Sequence, residues 1–191
     1  MNTRTALLDS AERAARQRGY DAFSYADLAR DVGIRKASIH HHFPAKADLA
    51  LSLIERYADR FFETLGEIDS THRHAAEKLR AYVALYRDAL VEGTQLCLCV
   101  AMSAGRDSLA EPVLDRLNQF HEKSAAWLTG VFEESLDDQT VSGVSDPNAE
   151  ARATLALVEG AQLVARAAKN TSLFDAATAA FAARLSAPKP H

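Results

Sequence analysis

Phe23-Ser-Tyr-Ala-Asp-Leu-Ala-Arg-Asp-Val-Gly-Ile-Arg-Lys-Ala-Ser-Ile-His-His-His-Phe-Pro-Ala-Lys-Ala-Asp-Leu49 reads as two short helices and the tight turn between them. Ser24 and Asp27 have capping-box spacing, with Asp in place of the longer Glu, and they open a helix whose buried side is Leu28, Ala29 and Val32. Gly33 follows where a tight turn needs a positive φ. A further helix then covers about Lys36 to His42, and Phe43-Pro44 closes it, because the residue before proline avoids the α region. Ile34, Ile39 and Phe43 turn one way, while Arg35, Lys36, Ser38, His40 and His41 turn the other. Ala37 keeps that outer face low enough for close approach of another surface. Two such helices read as a helix-turn-helix, whose second helix would enter the major groove of DNA, or as no more than a small helical cap, since any three-helix cluster leaves a few polar residues outside.

Outward from this stretch the pattern stays helical. A preceding helix spans residues 3–18, with Leu7, Leu8, Ala11, Ala14 and Ala15 on one side, and ends at Gly19. After the turn-helix unit, amphipathic helices are predicted over 46–68, 71–92, 95–104, 112–136, 147–168 and 172–185. Pro112 and Pro147 occupy first turns, and Asp146 has the place of an N-cap. The fold class is all-α, about nine helices without a strand: residues 1–46 as a DNA-binding head, 47–186 as a ligand-binding and dimerisation domain, and 187–191 as a disordered tail.

Net charge is −4, which alone argues against nucleic acid, but it is unevenly spread. Residues 1–50 hold eight Lys/Arg against six Asp/Glu, +2, and the remainder holds fourteen against twenty, −6. A basic end on an acidic body suits a protein that touches DNA with one end. No apolar run is long enough for a membrane span, and two cysteines make no disulfide framework, so the cytoplasm is the expected compartment. No Ser/His/Asp grouping, metal-ligand spacing or glycine-rich phosphate loop points to an enzyme, a metal or a cofactor. The consecutive histidines 40–42 diverge around a helix and cannot share one ion. A helical protein-binding adaptor is the other rival.

The 27 residues quoted above resemble the signature of the TetR family of transcriptional regulators. That signature has a Ser/Thr opening the second helix, Leu/Ile-Ala within it, Gly-Val/Ile at the turn, a small residue before Ser/Thr, an aromatic-His-Phe ending, and Lys then Leu opening the fourth helix. The resemblance implies DNA contacts by Ser24, Lys36, Ser38, His41 and Lys46. Arg35, Ala37 and His40 complete the candidate set. The chain departs from the pattern at His40, where the family usually has a phosphate-touching tyrosine. The resemblance further implies a homodimeric repressor on double-stranded DNA with a near-palindromic operator, released by a small-molecule effector.

Within the body, Phe61, Phe62, Tyr82, Tyr86, Cys97, Met102, Phe120, His121 and Trp127 are candidates for lining an effector pocket, although aromatic residues at helical spacing also make plain core. Cys97 and Cys99, two apart on one helix, would point about 200° from each other, badly placed for a mutual disulfide. They read as buried thiols, or one of them as a sensor facing the pocket; no neighbour in sequence lowers a thiol pKa. Ala149, Ala153, Ala156, Gly160 and Val164 form a small-residue stripe which, with Phe181 on the last helix, is the candidate dimer surface.

Overall fold

The computed structural model describes residues 2–186. The expected tail, 187–191, lies outside them. Among the described residues there are nine α-helices, two single 3-10 turns (Tyr20–Ala22 and Arg106–Ser108) and one isolated bridge, Val141 to Leu185. The helices are α1 Thr3–Arg18, α2 Tyr25–Val32, α3 Lys36–His42, α4 Lys46–Thr71, α5 Ala75–Ala89, α6 Leu98–Ser103, α7 Glu111–Asp138, α8 Pro147–Ala168 and α9 Ser172–Ala182. Among the described residues no helix is long and apolar enough to cross a membrane.

The chain divides into two compact units: residues up to Arg60 together with Gln95–Phe120, and Phe61–Thr94 together with residues from His121 onward. The expected head falls inside the first, which also takes in the start of α4, α6 and the beginning of α7.

In the first unit α1 packs on α2 and α6, and α2 on α3. Leu7, Leu8, Ala11, Tyr20, Phe23, Leu28, Ile39, Phe43, Leu49, Leu53 and Ile54 make its core. The local signals operate as the sequence predicts. Ser24 Oγ accepts from Asp27 N (3.3 Å) and the Asp27 carboxylate accepts from Ser24 N (2.9 Å). Gly33 takes φ 76°, ψ 32°, the left-handed conformation that glycine adopts without strain.

In the second unit α8 packs on α9 and on α5. Its core includes Leu65, Leu79, Tyr82, Tyr86, Leu128, Phe132, Val158, Phe174 and Phe181. Helix boundaries depart from the sequence reading here. α5 begins at Ala75, because the N–H of Ala75 is taken by the Asp138 carboxylate (2.8 Å) and that of Ala76 by Thr140 Oγ1 (3.0 Å). Burial would raise the Asp138 pKa, but the hydrogen bonds from Ala75 and Thr140 and the nearby His74 bring it below the ordinary value. α5 ends at Ala89, before a left-handed run at Val91 (φ 44°), Glu92 (φ 55°) and Gly93 (φ 79°). A Cβ on Gly93 would lie 3.0 Å from the Lys169 carbonyl carbon, so both backbone angle and close approach require glycine there.

Candidate DNA-reading surface and aromatic cluster

α3 is held from behind and bare in front. Ile39 (0% exposed) and Phe43 (2%) anchor it in the core. The Tyr25 hydroxyl, at the start of α2, lies 2.9 Å from the carbonyl of Phe43 and 2.6 Å from that of Ala45, fixing the chain where α3 gives way to α4. Burial, with Asp48 and Tyr20 adding, pushes the Tyr25 pKa up to about 12, so the hydroxyl remains a donor at ordinary pH. Across the head, Ser10 and Arg13 of α1 both donate to Asp31 of α2.

On the outer face Arg35, Lys36, Ala37, Ser38, His40 and His41 are all exposed. Arg35 and Lys36 make no ion pair or side-chain hydrogen bond among the described residues. Two uncommitted cations, a hydroxyl and imidazole rings on one exposed helical face are the groups that meet phosphates and base edges in a major groove. His40 is the exception in that row. Its Nδ1 lies 3.1 Å from the Pro44 carbonyl and its ring stands edge-on to Tyr25 at 5.0 Å. With Nδ1–H donated to that carbonyl, neutral Nε2 is an acceptor only.

Two expected DNA contacts have partners within the head. Lys46 turns inward: its Nζ donates to the carbonyls of Tyr20 (2.7 Å) and Phe23 (2.8 Å) and lies over both rings, 4.4 and 4.5 Å from their centroids. Burial lowers its pKa, opposed by Asp21. Ser24 is likewise committed, its hydroxyl donating to Asp27 (2.7 Å) as part of the α2 cap. Both side chains thus have hydrogen-bond partners inside the head. The reason is non-local, since both acceptors of Lys46 sit more than twenty residues upstream.

The pocket candidates divide between the units. In the second, Phe61, Phe62, Tyr82, Tyr86 and Trp127 form one cluster: Tyr82 stacks on Trp127 at 5.5 Å and meets Tyr86 at 5.3 Å, and Phe61 is edge-on to Phe62, Tyr82 and Tyr86. Polar groups are threaded through it. Tyr82 Oη is 2.8 Å from Ser124 Oγ, Trp127 Nε1 donates to Asp69 (2.8 Å), and His121 Nε2 lies 3.2 Å from Glu159. In the first unit Phe120 packs near Tyr57 (6.2 Å), Met102 is fully buried on α6, and Cys97 accepts from the Tyr57 hydroxyl. A groove of about 380 Å³ beside α1 and α2 is lined by charged side chains already paired with one another, Arg13 with Asp31 and Arg30 with Asp27. That lining is the reverse of the apolar enclosure a small organic ligand needs.

The cysteine geometry also differs from expectation. α6 starts at Leu98, so Cys97 precedes it with extended backbone (φ −51°, ψ 141°). The 200° separation holds only when both residues are helical, and here the Cys99 thiol hydrogen-bonds Cys97.

On α8 the side chains of Ala149, Ala153, Ala156 and Val164 are exposed, Gly160 lies between them, and Leu163 (46%) and Leu173 (37%) extend the apolar face. Phe181 is not part of it. At 7% exposure it is core, packed edge-on to Phe132 at 6.4 Å.

A helix-turn-helix pinned from behind, with uncommitted cations on its second helix and a further all-helical unit, is the arrangement of a DNA-binding transcriptional regulator. Residues 7–53 match the family profile "Bacterial regulatory proteins, tetR family". A TetR-family transcriptional regulator from Agrobacterium tumefaciens is 31% identical, with a TM-score of 0.91 over 97% of this chain and 98% of that one. The transcriptional repressor NemR of Escherichia coli K12 is 24% identical over 88% of this chain and 86% of its own length. The nucleoid occlusion factor SlmA of Salmonella paratyphi B is 28% identical over 74% of this chain and 71% of its own. The chain belongs to the TetR family of bacterial transcriptional regulators.

Proposed function

We propose that the protein is a homodimeric repressor, released from a near-palindromic operator by a small organic effector. Arg35, Lys36, Ser38 and His41 are the groups we assign to DNA, with Ala37 admitting close approach and His40 beside them on the same exposed face. The observation that carries this is the contrast within the head. The cations at Lys46, Arg13 and Arg30 are paired or turned inward, while Arg35 and Lys36 are left to solvent. The exposed apolar face of α8 and Leu173 of α9 is the pairing surface we assign to the dimer, because a strip of alanines and a glycine lets two helices approach closely about a two-fold axis. Phe61, Tyr82, Tyr86 and Trp127 supply flat apolar contact with few polar anchors, the chemistry that suits an aromatic or conjugated effector. α4 carries Leu53 in the head and Phe61 in the aromatic cluster, and we assign it the role of lever. The effector weakens DNA binding only by preferring the conformer whose heads are wrongly spaced.

The test is fluorescence anisotropy of the full chain on labelled DNA from upstream of its own gene, across a salt series with random DNA as competitor. Saturable binding that survives competitor and weakens steeply with salt is expected. Binding equal to that on random DNA at every salt concentration overturns sequence-specific regulation of its own promoter.

A further inference from the structure

Cys97 and Cys99 are 1% and 0% exposed. A thiol sealed in apolar surroundings normally has a raised pKa and is inert. Cys97 departs from this. Burial pushes its thiol up, but hydrogen bonds from the Cys99 thiol, from the Tyr57 hydroxyl (3.1 Å) and from the backbone N–H groups of Val100 and Cys99 outweigh it and bring the pKa to about 7. Burial, then the neighbouring Cys97 and Cys99, push the Tyr57 hydroxyl well above its ordinary value, so it stays protonated and keeps donating. Tyr57 is intermediate in burial as a residue, and its hydroxyl lies one hydrogen bond from the sulfur.

The two sulfurs are also placed for each other. With Leu98 helical, helix pitch and radius set the Cα atoms of its neighbours about 5.4 Å apart, within the roughly 4.4–6.8 Å that a disulfide spans. Cys97 is extended, so its side chain leaves the direction a helical residue would take, and the thiols are in hydrogen-bond contact.

The pair sits against the head. Leu96, immediately before Cys97, donates its N–H to the carbonyl of Arg16 (3.0 Å), and Arg16 Nε donates back to the carbonyl of Leu96 (2.8 Å). Arg16 is in the last turn of α1, and α1 packs on α6. Tyr57, Cys97, Cys99, Arg16 and α3 all belong to the same compact unit.

We propose that Cys97 is a modification site for small two-electron oxidants of the hydroperoxide class, with Cys99 as its resolving thiol, and that their oxidation lowers the affinity of the head for DNA. The Cys97 thiolate, its proton given to solvent, attacks one peroxide oxygen. An S–O bond forms, the O–O bond breaks, and the departing hydroxide takes up a proton and leaves as water. The Cys99 sulfur then displaces the hydroxyl from Cys97: the S–S bond forms, the S–O bond breaks, and the Cys99 proton leaves with the hydroxyl as a second water. Two thiols and one peroxide give one disulfide and two waters. The new bond takes Cys97 from Tyr57 and redraws the chain beside Leu96, which hands the change to Arg16 and α1. Burial makes the site selective for oxidants little larger than water and closed to bulky thiol reagents.

The experiment treats the full chain with hydrogen peroxide, then maps the cysteine peptides by mass under denaturing alkylation and measures DNA affinity on the same samples. Expected is loss of two hydrogens in a peptide linking Cys97 to Cys99, an affinity lower by about tenfold, within the usual range for coupled sites, and recovery of both with dithiothreitol. Cys99→Ser should stop at a sulfenic acid on Cys97 that dimedone traps, and Cys97→Ser should abolish both changes. Tyr57 is a positioning residue: Tyr57→Phe should move the pH midpoint of the oxidation rate upward. If a serine variant fails to fold, the wild-type peptide map still decides the chemistry. Unmodified cysteines after an exposure that oxidises glutathione at the same pH overturn the site, and oxidation confined to Cys99 does so too. Undiminished DNA binding by the linked form overturns the coupling. The affinity arm rests on the DNA-binding reading above; a chain that binds no DNA in either redox state fails that reading, and the peptide map judges the cysteine site independently.

Discussion

Lys46 separates two roles open to a cation in the head: holding the head together and holding DNA. Its ammonium donates to two carbonyls at 2.7 and 2.8 Å and covers two aromatic rings. Charged hydrogen bonds of this kind contribute about 1.5–3 kcal/mol each, less the desolvation of the ammonium. Lys46→Met keeps the aliphatic stem, removes both bonds, and leaves the Tyr20 and Phe23 carbonyls without that donor. The expected loss is about 2 kcal/mol, or roughly 4–8 °C in melting temperature for a chain of this size. Lys36→Met, at an exposed side chain with no partner among the described residues, should leave the melting temperature within about a degree of the parent. The two variants should reverse order on DNA. Each phosphate contact adds about 0.9 to the slope of log K against log salt, so Lys36→Met should flatten the slope by about that amount and Lys46→Met should leave it unchanged. Calorimetry and a salt series of anisotropy titrations, run well below the melting temperatures, make the comparison. A Lys46→Met protein that melts like the parent and loses about one unit of slope would show that Lys46 reaches phosphate and that the inward clamp is not what it does.

Further outcomes follow from other contacts. Hydrogen bonds from the Ser24 side chain and backbone and from Arg30 hold the Asp27 carboxyl at about 2 against an ordinary 3.8, so its contribution is complete above about 4 and is lost as pH falls through about 2; Asp27→Asn should flatten that segment of the stability curve, read as urea midpoints between pH 2 and 5. Gly93→Ala puts a Cβ at φ 79° and 3.0 Å from the Lys169 carbonyl carbon, an expected loss of about 3 kcal/mol. Gly66→Ala on α4, where nothing lies within 4 Å, should instead raise stability by about 0.5–1 kcal/mol, and urea denaturation of the two variants should show opposite signs. Val164→Glu, at a side chain 55% exposed, should convert a dimer to a monomer in sedimentation velocity and weaken operator binding more than tenfold at unchanged melting temperature; an unaltered sedimentation coefficient would remove α8 from the interface.

What could be read in the sequence was local. The α2 cap is a contact between residues three apart, the turn needs one glycine at positive φ, and the inward face of α3 is set by Ile39 and Phe43 at helical spacing. The stretch 23–49 therefore folds as its residues alone indicate, and its outer face can be listed without coordinates. What could not be read depends on partners far along the chain. α5 starts at Ala75 because Asp138 and Thr140, more than sixty residues on, cap it. The direction of Lys46 depends on carbonyls exposed by the 3-10 turn at Tyr20–Ala22. Phe181 belongs to the core because Phe132 meets it; α9 is rich in apolar residues on every side, so periodicity cannot say which side faces inward. Cys97 shows how little displacement matters: moving the start of a helix by three residues, from 95 to 98, turns two diverging thiols into a contacting pair.

The head's rigidity constrains how any signal can act on it. Its reading helix α3 gives way to backbone carbonyls gripped by Tyr25, and the entry to α4 is gripped by Lys46. α1 is riveted to α4 by Glu12, which is 8% exposed and meets Arg56 at 2.9 Å and Arg60 at 2.5 Å, and by Asp9 with Arg56 at 2.7 Å. Glu12 is the buried member of this cluster, so removing it leaves Arg56 without its enclosed partner, while the more exposed Asp9 and Arg60 stay screened by solvent. A reading helix fastened in this way does not bend independently of its surroundings. Regulation must instead move or strain the unit as a whole, and the places to push are the segments that enter it. One is α4, which leaves the unit after Arg60; the other is the chain from Gln95 to Cys97, clasped to α1 by Arg16. The first suits a ligand held among the aromatics at Phe61 and Tyr82. The second suits a covalent change at Cys97, which needs no ligand cavity because the strain is made inside the same body that carries α3.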